Sequence, residues 1–307
     1  MITTVCMNPS FDKTASVSQL LPGDVNRLQN VRVDVGGKGI NVAIVLQRLG
    51  IPVHCVGCLG AENQDRFLRM IEQENVTFDY LSVSGEVRTN LKLLDEAKKI
   101  VTEFNESGIE LSADDQFSFF TLLSEKASCS EYVVFSGRLP RGCDDTVYQK
   151  CMQVLPEQKI VLDTSGEPLL HGLKEKPYLI KPNLPELEAV IQKELRTLGD
   201  IRDAGLKLIE YGAQNVVVSM GKDGAMLVND SKTLYAPALS VEVRSTVGAG
   251  DSMVGGILYG LACGESICES FRFGVAAGSA SVMTDGTLLV RKSDFDTLLP
   301  KVMVQKV

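Results

Sequence analysis

Short apolar runs rich in β-branched residues alternate with amphipathic stretches along most of the 307 residues. A run apolar on both faces suits a strand covered on both sides, and an amphipathic segment between two such runs suits a crossover helix. The alternation therefore predicts an α/β fold: a mostly parallel sheet with helices on both faces. Sheet strands are predicted at 2–7, 53–59, 132–136, 159–163, 178–181 and 215–220. Helices are predicted at 40–49, 64–73, 145–154, 184–192 and 201–211, with two or three more from residue 251 onward and the last strands of the sheet just before them. At 44% hydrophobic residues the chain can bury a core of this size.

Two stretches break the rhythm. Residues 12–35 and 87–104 have no crossover helix of their own, and the second alternates like a hairpin around Asp95-Glu96-Ala97-Lys98. They are predicted to form a small second sheet, inserted in the main domain (1–11, 36–86 and 105–307) and covering a ligand cleft as a lid.

The formal net charge of -8 disfavours a broad surface for nucleic acid or anionic lipid, while leaving room for a small anionic substrate held by a few local cations. No apolar run reaches the roughly 18 residues of a membrane helix. The N-terminal segment shows no export pattern, so a cytoplasmic protein with reduced thiols is expected. Cys55 and Cys58 beside His54 have the spacing of a zinc or redox pair, but no second pair completes a ligand set, and a buried strand is the favoured reading. With only His54 and His171 in the chain, histidine-based hydrolase mechanisms lack their usual parts.

The strongest local signal is Thr246-Val247-Gly248-Ala249-Gly250-Asp251-Ser252 ahead of an apolar helix at 252–261. Glycines before a helix let backbone N–H groups converge on an anion. A carboxylate there fits a base that takes a proton from a hydroxyl while those N–H groups stabilise a transferred phosphoryl group. Equally, Asp251 fits a residue that simply caps or charges the helix start. Gly255, Gly256 and Gly260 inside that helix fit close packing on the sheet or on a ligand.

A second cluster, Gly36-Gly37-Lys38-Gly39-Ile40-Asn41, offers backbone N–H groups, a cation and an amide at the mouth of a helix. It fits neither a Walker loop nor a dinucleotide fingerprint. It suits a polyol phosphate, or simply a turn joining a strand to a helix. Lys181-Pro182-Asn183-Leu184-Pro185-Glu186 places two oxygen ligands where a strand meets a helix, which suits Mg²⁺ but equally a capping box. Ser219-Met220-Gly221-Lys222-Asp223-Gly224 fits a hairpin turn or a backbone that a nucleotide approaches closely. Asp12, Arg88, Asn90 and Ser136-Gly137-Arg138 are the remaining polar candidates.

These motifs, in this order and across essentially the whole chain, resemble the PfkB carbohydrate kinases. The resemblance implies a ribokinase-like αβα sandwich with a β lid, sugar phosphate under the lid and Mg·ATP along the carboxyl edge of the sheet. It implies Asp251 as catalytic base, and Gly248, Ala249 and Gly250 as anion hole. It implies Ser219, Gly221, Lys222, Gly224, Thr246, Lys181, Asn183 and Gly250 around ATP, and Asn183 with Glu186 near Mg²⁺, through water. Around the sugar phosphate it implies Asp12, Gly36, Gly37, Lys38, Asn41, Arg88, Asn90, Ser136 and Gly137. The stretches 87–92, 102–108 and 250–256 are most similar to members acting on fructose 1-phosphate, ahead of tagatose 6-phosphate and fructose 6-phosphate, and a homodimer through the lid is implied. Arg138 departs from the small residue usual at its place. A non-catalytic sugar-phosphate sensor on the same scaffold is the alternative of a different class.

Overall fold

The computed structural model describes residues 1–307. The chain opens with β1 (Ile2–Cys6), then leaves the main sheet for β2 (Ser10–Val17) and β3 (Gln29–Gly36). It returns through α1 (Lys38–Leu49), β4 (Val53–Gly60), α2 (Gln64–Gln73) and β5 (Thr77–Val83), and leaves again as the hairpin β6 (Arg88–Asp95) and β7 (Ile100–Asn105). Strands and helices then alternate: α3 (Ala113–Ala127), β8 (Tyr132–Ser136), α4 (Val147–Gln153), β9 (Lys159–Asp163), α5 (Glu167–Leu173), β10 (Leu179–Ile180), α6 (Leu184–Ile191), α7 (Leu198–Glu210) and β11 (Asn215–Ser219). The antiparallel strands β12 (Ala225–Asn229) and β13 (Thr233–Ala236) lead to α8 (Ala249–Ala262), α9 (Ile267–Ser281), α10 (Lys292–Leu298) and a terminal β14 (Gln305–Lys306).

The main sheet has ten strands in the order β14-β13-β12-β11-β10-β9-β8-β1-β4-β5. From β5 to β11 every pair is parallel; from β11 to β14 every pair is antiparallel. Strand residues alternate between two cores, as the pleat requires. Val217 joins the core that also holds Ile40, Phe67, Val254, Phe271 and Phe295, whereas Val216 and Val218 join the one that holds Phe119, Tyr148, Leu169, Leu187 and Leu208. Thus α1, α2 and α8–α10 cover one face and α3–α7 the other, which is the predicted αβα sandwich.

The same alternation decides the Cys55 and Cys58 spacing. Three residues apart on β4, the two thiols lie in opposite cores, so they face away from each other through the sheet. Both are free, and burial pushes both thiols up.

The second sheet has the order β3-β2-β6-β7, with β2 and β6 parallel and both outer pairs antiparallel. Its strands run a little beyond the predicted stretches, starting at Ser10 and reaching Gly36 and Asn105. Several elements lay outside the prediction. β5, α3 and α5 were not anticipated, β10 is only two residues long, and β14 follows the C-terminal helices instead of preceding them. No helix is long and apolar enough to cross a membrane.

The glycines of α8 serve helix packing. A Cβ on Gly256 would meet Ala277 of α9 at 2.6 Å, one on Gly260 would meet Ser270 Oγ at 2.7 Å, and Gly255 lies against Val45 of α1. Bare backbone here lets α8 sit deep between α1 and α9, and that depth carries the start of α8 to the carboxyl edge of the sheet.

Candidate active site

A cleft of about 1300 Å³ runs along the carboxyl ends of β1, β8, β9, β10 and β11, with the small sheet along one side. This is where a parallel sheet leaves its ligands, because the loops leaving the strand ends diverge. All of the sequence-predicted site residues line it except Gly36. Gly36 instead packs on the Asp12 carboxyl group, where a Cβ would come within 2.6 Å of Cγ, so it shapes the wall without facing the cavity.

Asp251 stands in the first turn of α8, 6% exposed. The helix cap is Gly248, at φ 75°, a conformation only glycine adopts cheaply, and no side chain caps the helix. Asp251 is therefore not the cap. Its Oδ2 accepts a hydrogen bond of 2.7 Å from Asn41 Nδ2, across 210 residues of sequence. Burial pushes its carboxyl group above the ordinary value, with Asp163 adding to the rise and Lys38, Asn41 and Lys181 opposing it. In the first turn the Gly250 and Asp251 N–H groups have no carbonyl to donate to and both residues line the cleft, while the Ala249 N–H turns back to the Thr246 carbonyl at 3.4 Å. Lys181 Nζ would be 3.2 Å from a Cβ on Gly250, so a buried cation adjoins this turn.

Below it lies a cluster whose central member was not anticipated. Asp163, at the end of β9 and 1% exposed in its side chain, stands 3.4 Å from Lys38 Nζ and 3.3 Å from Lys181 Nζ, and accepts a 3.2 Å hydrogen bond from Ser136 Oγ. The Lys181 contact is an ion pair without hydrogen-bond alignment, since Asp163 Oδ1 accepts no hydrogen bond. Burial alone would raise the Asp163 carboxyl group, but Lys181 and Lys38 together outweigh it and hold it below the ordinary value. In return Asp163 raises Lys38 well above its own. Nothing around residue 163 forms a motif; only a carboxylate ending a predicted strand hinted at it.

Asn183 and Glu186 form the capping box of α6: Glu186 N donates to Asn183 Oδ1 and Asn183 N to Glu186 Oε2, each at 2.9 Å. The box uses one carboxylate oxygen of Glu186 and leaves Oε1 for the cleft. The two alternatives for this motif are therefore compatible, since the cap fixes the pair at the cleft wall. That free oxygen is a donor of the kind Mg²⁺ takes, directly or through water.

Ser219 ends β11, and Gly221–Asp223 form a single tight turn before β12, so the hairpin reading of this motif holds while Ser219, Gly221, Lys222 and Gly224 all line the cleft. Thr246 joins them from the segment before α8. At the other end, under the small sheet, Asp12 accepts hydrogen bonds from Ser10 Oγ (2.8 Å) and Asn90 Nδ2 (3.1 Å) and pairs with Lys92 (3.1 Å). The Arg88 guanidinium donates to the backbone oxygens of Asn8 and Glu106. Its Nε, Asn90 Oδ1 and Asn8 Oδ1 are buried without protein partners, an uncommon set of orphans for one corner of a cavity. Lys92 and Asn8 had not been singled out; a lysine alternating with Arg88 and Asn90 on one strand face was the cue to Lys92, and Asn8, between β1 and β2, had only its place at a strand end.

Residues 6–292 match the model of the pfkB family carbohydrate kinases. The 1-phosphofructokinase of Escherichia coli (strain K12) is 36% identical over 99% of this chain and 98% of its own length. That of Bacillus subtilis (strain 168) is 33% identical over the full length of both. A crystal structure of phosphofructokinase-2 from Escherichia coli in complex with fructose-6-phosphate superposes with a TM-score of 0.91 at 30% identity, covering 98% of each chain.

Proposed function

We propose that this chain, which belongs to the pfkB family of carbohydrate kinases, transfers the γ-phosphoryl group of ATP to fructose 1-phosphate, giving fructose 1,6-bisphosphate and ADP. The observation that carries this reading is Asp251: a buried carboxylate, oriented by Asn41 and serving no cap, beside the unbonded Gly250 N–H of the same turn. A group with that placement has a proton to take and a developing anion beside it.

In the proposed reaction the acceptor hydroxyl lies against Asp251, which takes its proton as the oxygen attacks the γ-phosphorus. The new O–P bond forms as the bond to the β,γ-bridging oxygen breaks, and the electron pair leaves with ADP. Backbone N–H groups of Gly248, Ala249 and Gly250 face the charge on the transferred group, and Lys181 supports them from below. Mg²⁺ would supply charge neutralisation on the phosphates, and Asn183 and Glu186 would hold it, through water. Ser219, Gly221, Lys222, Gly224 and Thr246 receive the nucleotide. Asp12, Gly37, Lys38, Asn41, Arg88, Asn90, Ser136 and Gly137 receive the sugar phosphate, with the small sheet as lid.

The two relatives named 1-phosphofructokinase favour fructose 1-phosphate. The phosphofructokinase-2 complex favours fructose 6-phosphate as second reading. An ADP-release assay across fructose 1-phosphate, fructose 6-phosphate, tagatose 6-phosphate and free sugars separates them by kcat/KM. No turnover with any sugar, alongside calorimetric binding of a sugar phosphate, would instead identify a sensor.

The lid also carries a homodimer in this reading. Its edge strands expose Val31 on β3 and Ile100, Val101 and Phe104 on β7, the last 52% exposed, and open apolar edges pair readily. Sedimentation of the native protein and of Phe104→Glu checks this: a dimer that the charge dissociates is expected, and a native monomer at micromolar concentration rejects it.

A further inference from the structure

Six cations line the cleft, and their partners divide them. Lys38 and Lys181 are paired with Asp163, and Lys92 with Asp12. Lys222, Arg88 and Arg138 have no carboxylate within ion-pair distance. Lys222 follows β11, at the end assigned to the nucleotide. Arg138 follows β8, three strands away and so roughly 14 Å across the sheet. Arg88 and Arg138 are thus the unpaired cations at the end beneath the lid.

We propose that Arg138 is a specificity-determining residue: with Arg88 it clasps the non-reacting phosphate of the sugar phosphate, and so selects phosphorylated over free ketoses. This rests on the sugar-phosphate kinase reading above and deepens it. The Gly137 backbone abuts the Lys38 side chain, at 3.5 Å from Lys38 Cβ to a Cβ on Gly137, which fixes the loop bearing Arg138 against the start of α1. From that anchor the exposed Arg138 side chain reaches the cleft mouth. On the facing side Arg88 is tied to two backbone oxygens and keeps a buried, unpartnered Nε. Burial lowers the Arg88 pKa, Cys6 and Asp12 oppose that fall, and the Arg138 charge adds slightly to it. Two guanidinium groups lining one cavity, neither ion-paired with a carboxylate, fit a dianion between them, and planar guanidinium forks match phosphate oxygens in pairs.

The test is steady-state kinetics of the wild type, Arg138→Ser and Arg138→Lys with fructose 1-phosphate, fructose 6-phosphate, tagatose 6-phosphate and free fructose, with inorganic phosphate as competitor. In Arg138→Ser the KM for the preferred sugar phosphate is expected to rise about tenfold to a hundredfold, the cost of one lost charge-assisted contact, with kcat and the KM for ATP unchanged. Inhibition by inorganic phosphate should weaken in parallel, turnover of free fructose should not fall, and lysine should restore part of the loss. An unchanged sugar-phosphate KM with turnover intact overturns the Arg138 assignment alone, and so does an equal rise in the KM for ATP. Wild-type turnover confined to free sugars overturns both this assignment and the reading it rests on.

Discussion

Replacing Asp251 by Asn keeps the size of the side chain and removes its ability to accept a proton. In the folded protein the Asp251 carboxylate is buried, its one side-chain hydrogen bond comes from Asn41 at 2.7 Å, and no backbone donor depends on it. Loss of a general base lowers kcat by about 10²–10⁴. Binding should not weaken, because the substitution removes a negative charge from a cleft that receives two anions. Stability should hold or rise, and the sign follows from burial. A carboxyl group whose pKa is raised in the folded state stabilises below its unfolded value and loses that contribution as pH rises, so at neutral pH the ionised Asp251 opposes folding and Asn does not. The same shift places the acid limb of wild-type kcat/KM above the ordinary aspartate value of 3.8, and the Asn variant should lack that limb. The assay is kcat by coupled ADP release, with calorimetric titration of each substrate and a melting curve. Near-wild-type kcat would refute the base assignment, and a collapsed melting transition would show that the residue is chiefly structural.

Asp163→Asn should destabilise by about 3–5 kcal/mol, since it leaves Lys38 and Lys181 without their shared buried counter-ion. The depressed pKa of Asp163 makes its contribution present above the unfolded value of about 3.9 and lost as pH falls through the lower folded value, so denaturant curves of wild type and variant should converge in acid; a constant gap would contradict the ion-cluster reading. Arg88→Ala should raise the sugar-phosphate KM about tenfold to a hundredfold and leave the KM for ATP alone, the reverse pattern showing that the two ends of the cleft are exchanged. Gly39→Ala would drive a methyl group onto the Val5 carbonyl oxygen and to 3.1 Å from Cys6 Cβ, and overpacking of this kind costs about 1–3 kcal/mol, read as a lowered Tm.

Local rules carried the sequence reading a long way. Strands at 132–136 and 159–163 and the helix at 64–73 sit where their apolar patterns ended, because flanking polar and turn residues stop an element within a residue or two. The glycine clusters marked both helix starts that line the cleft, since bare backbone is needed wherever N–H groups must approach a ligand. Pattern alone left out β5, α3 and α5. β5 is an edge strand, part-exposed along most of its length, so it lacks the continuous apolar run of a central strand, and α5 has only seven residues.

Tertiary structure decided which alternatives were real. A capping aspartate and a base aspartate have the same spacing; only the approach of Asn41, 210 residues away, showed that Asp251 turns inward instead of capping α8. Asp163 had no motif because its meaning lies in Lys38, Lys181 and Ser136, which converge on it from the ends of different elements. Hydrogen bonds and ion pairs act over about 3 Å in space regardless of separation along the chain. Periodicity and capping, by contrast, act over a few residues, so a sequence displays them directly and shows convergent contacts only after the sheet has brought its strand ends together.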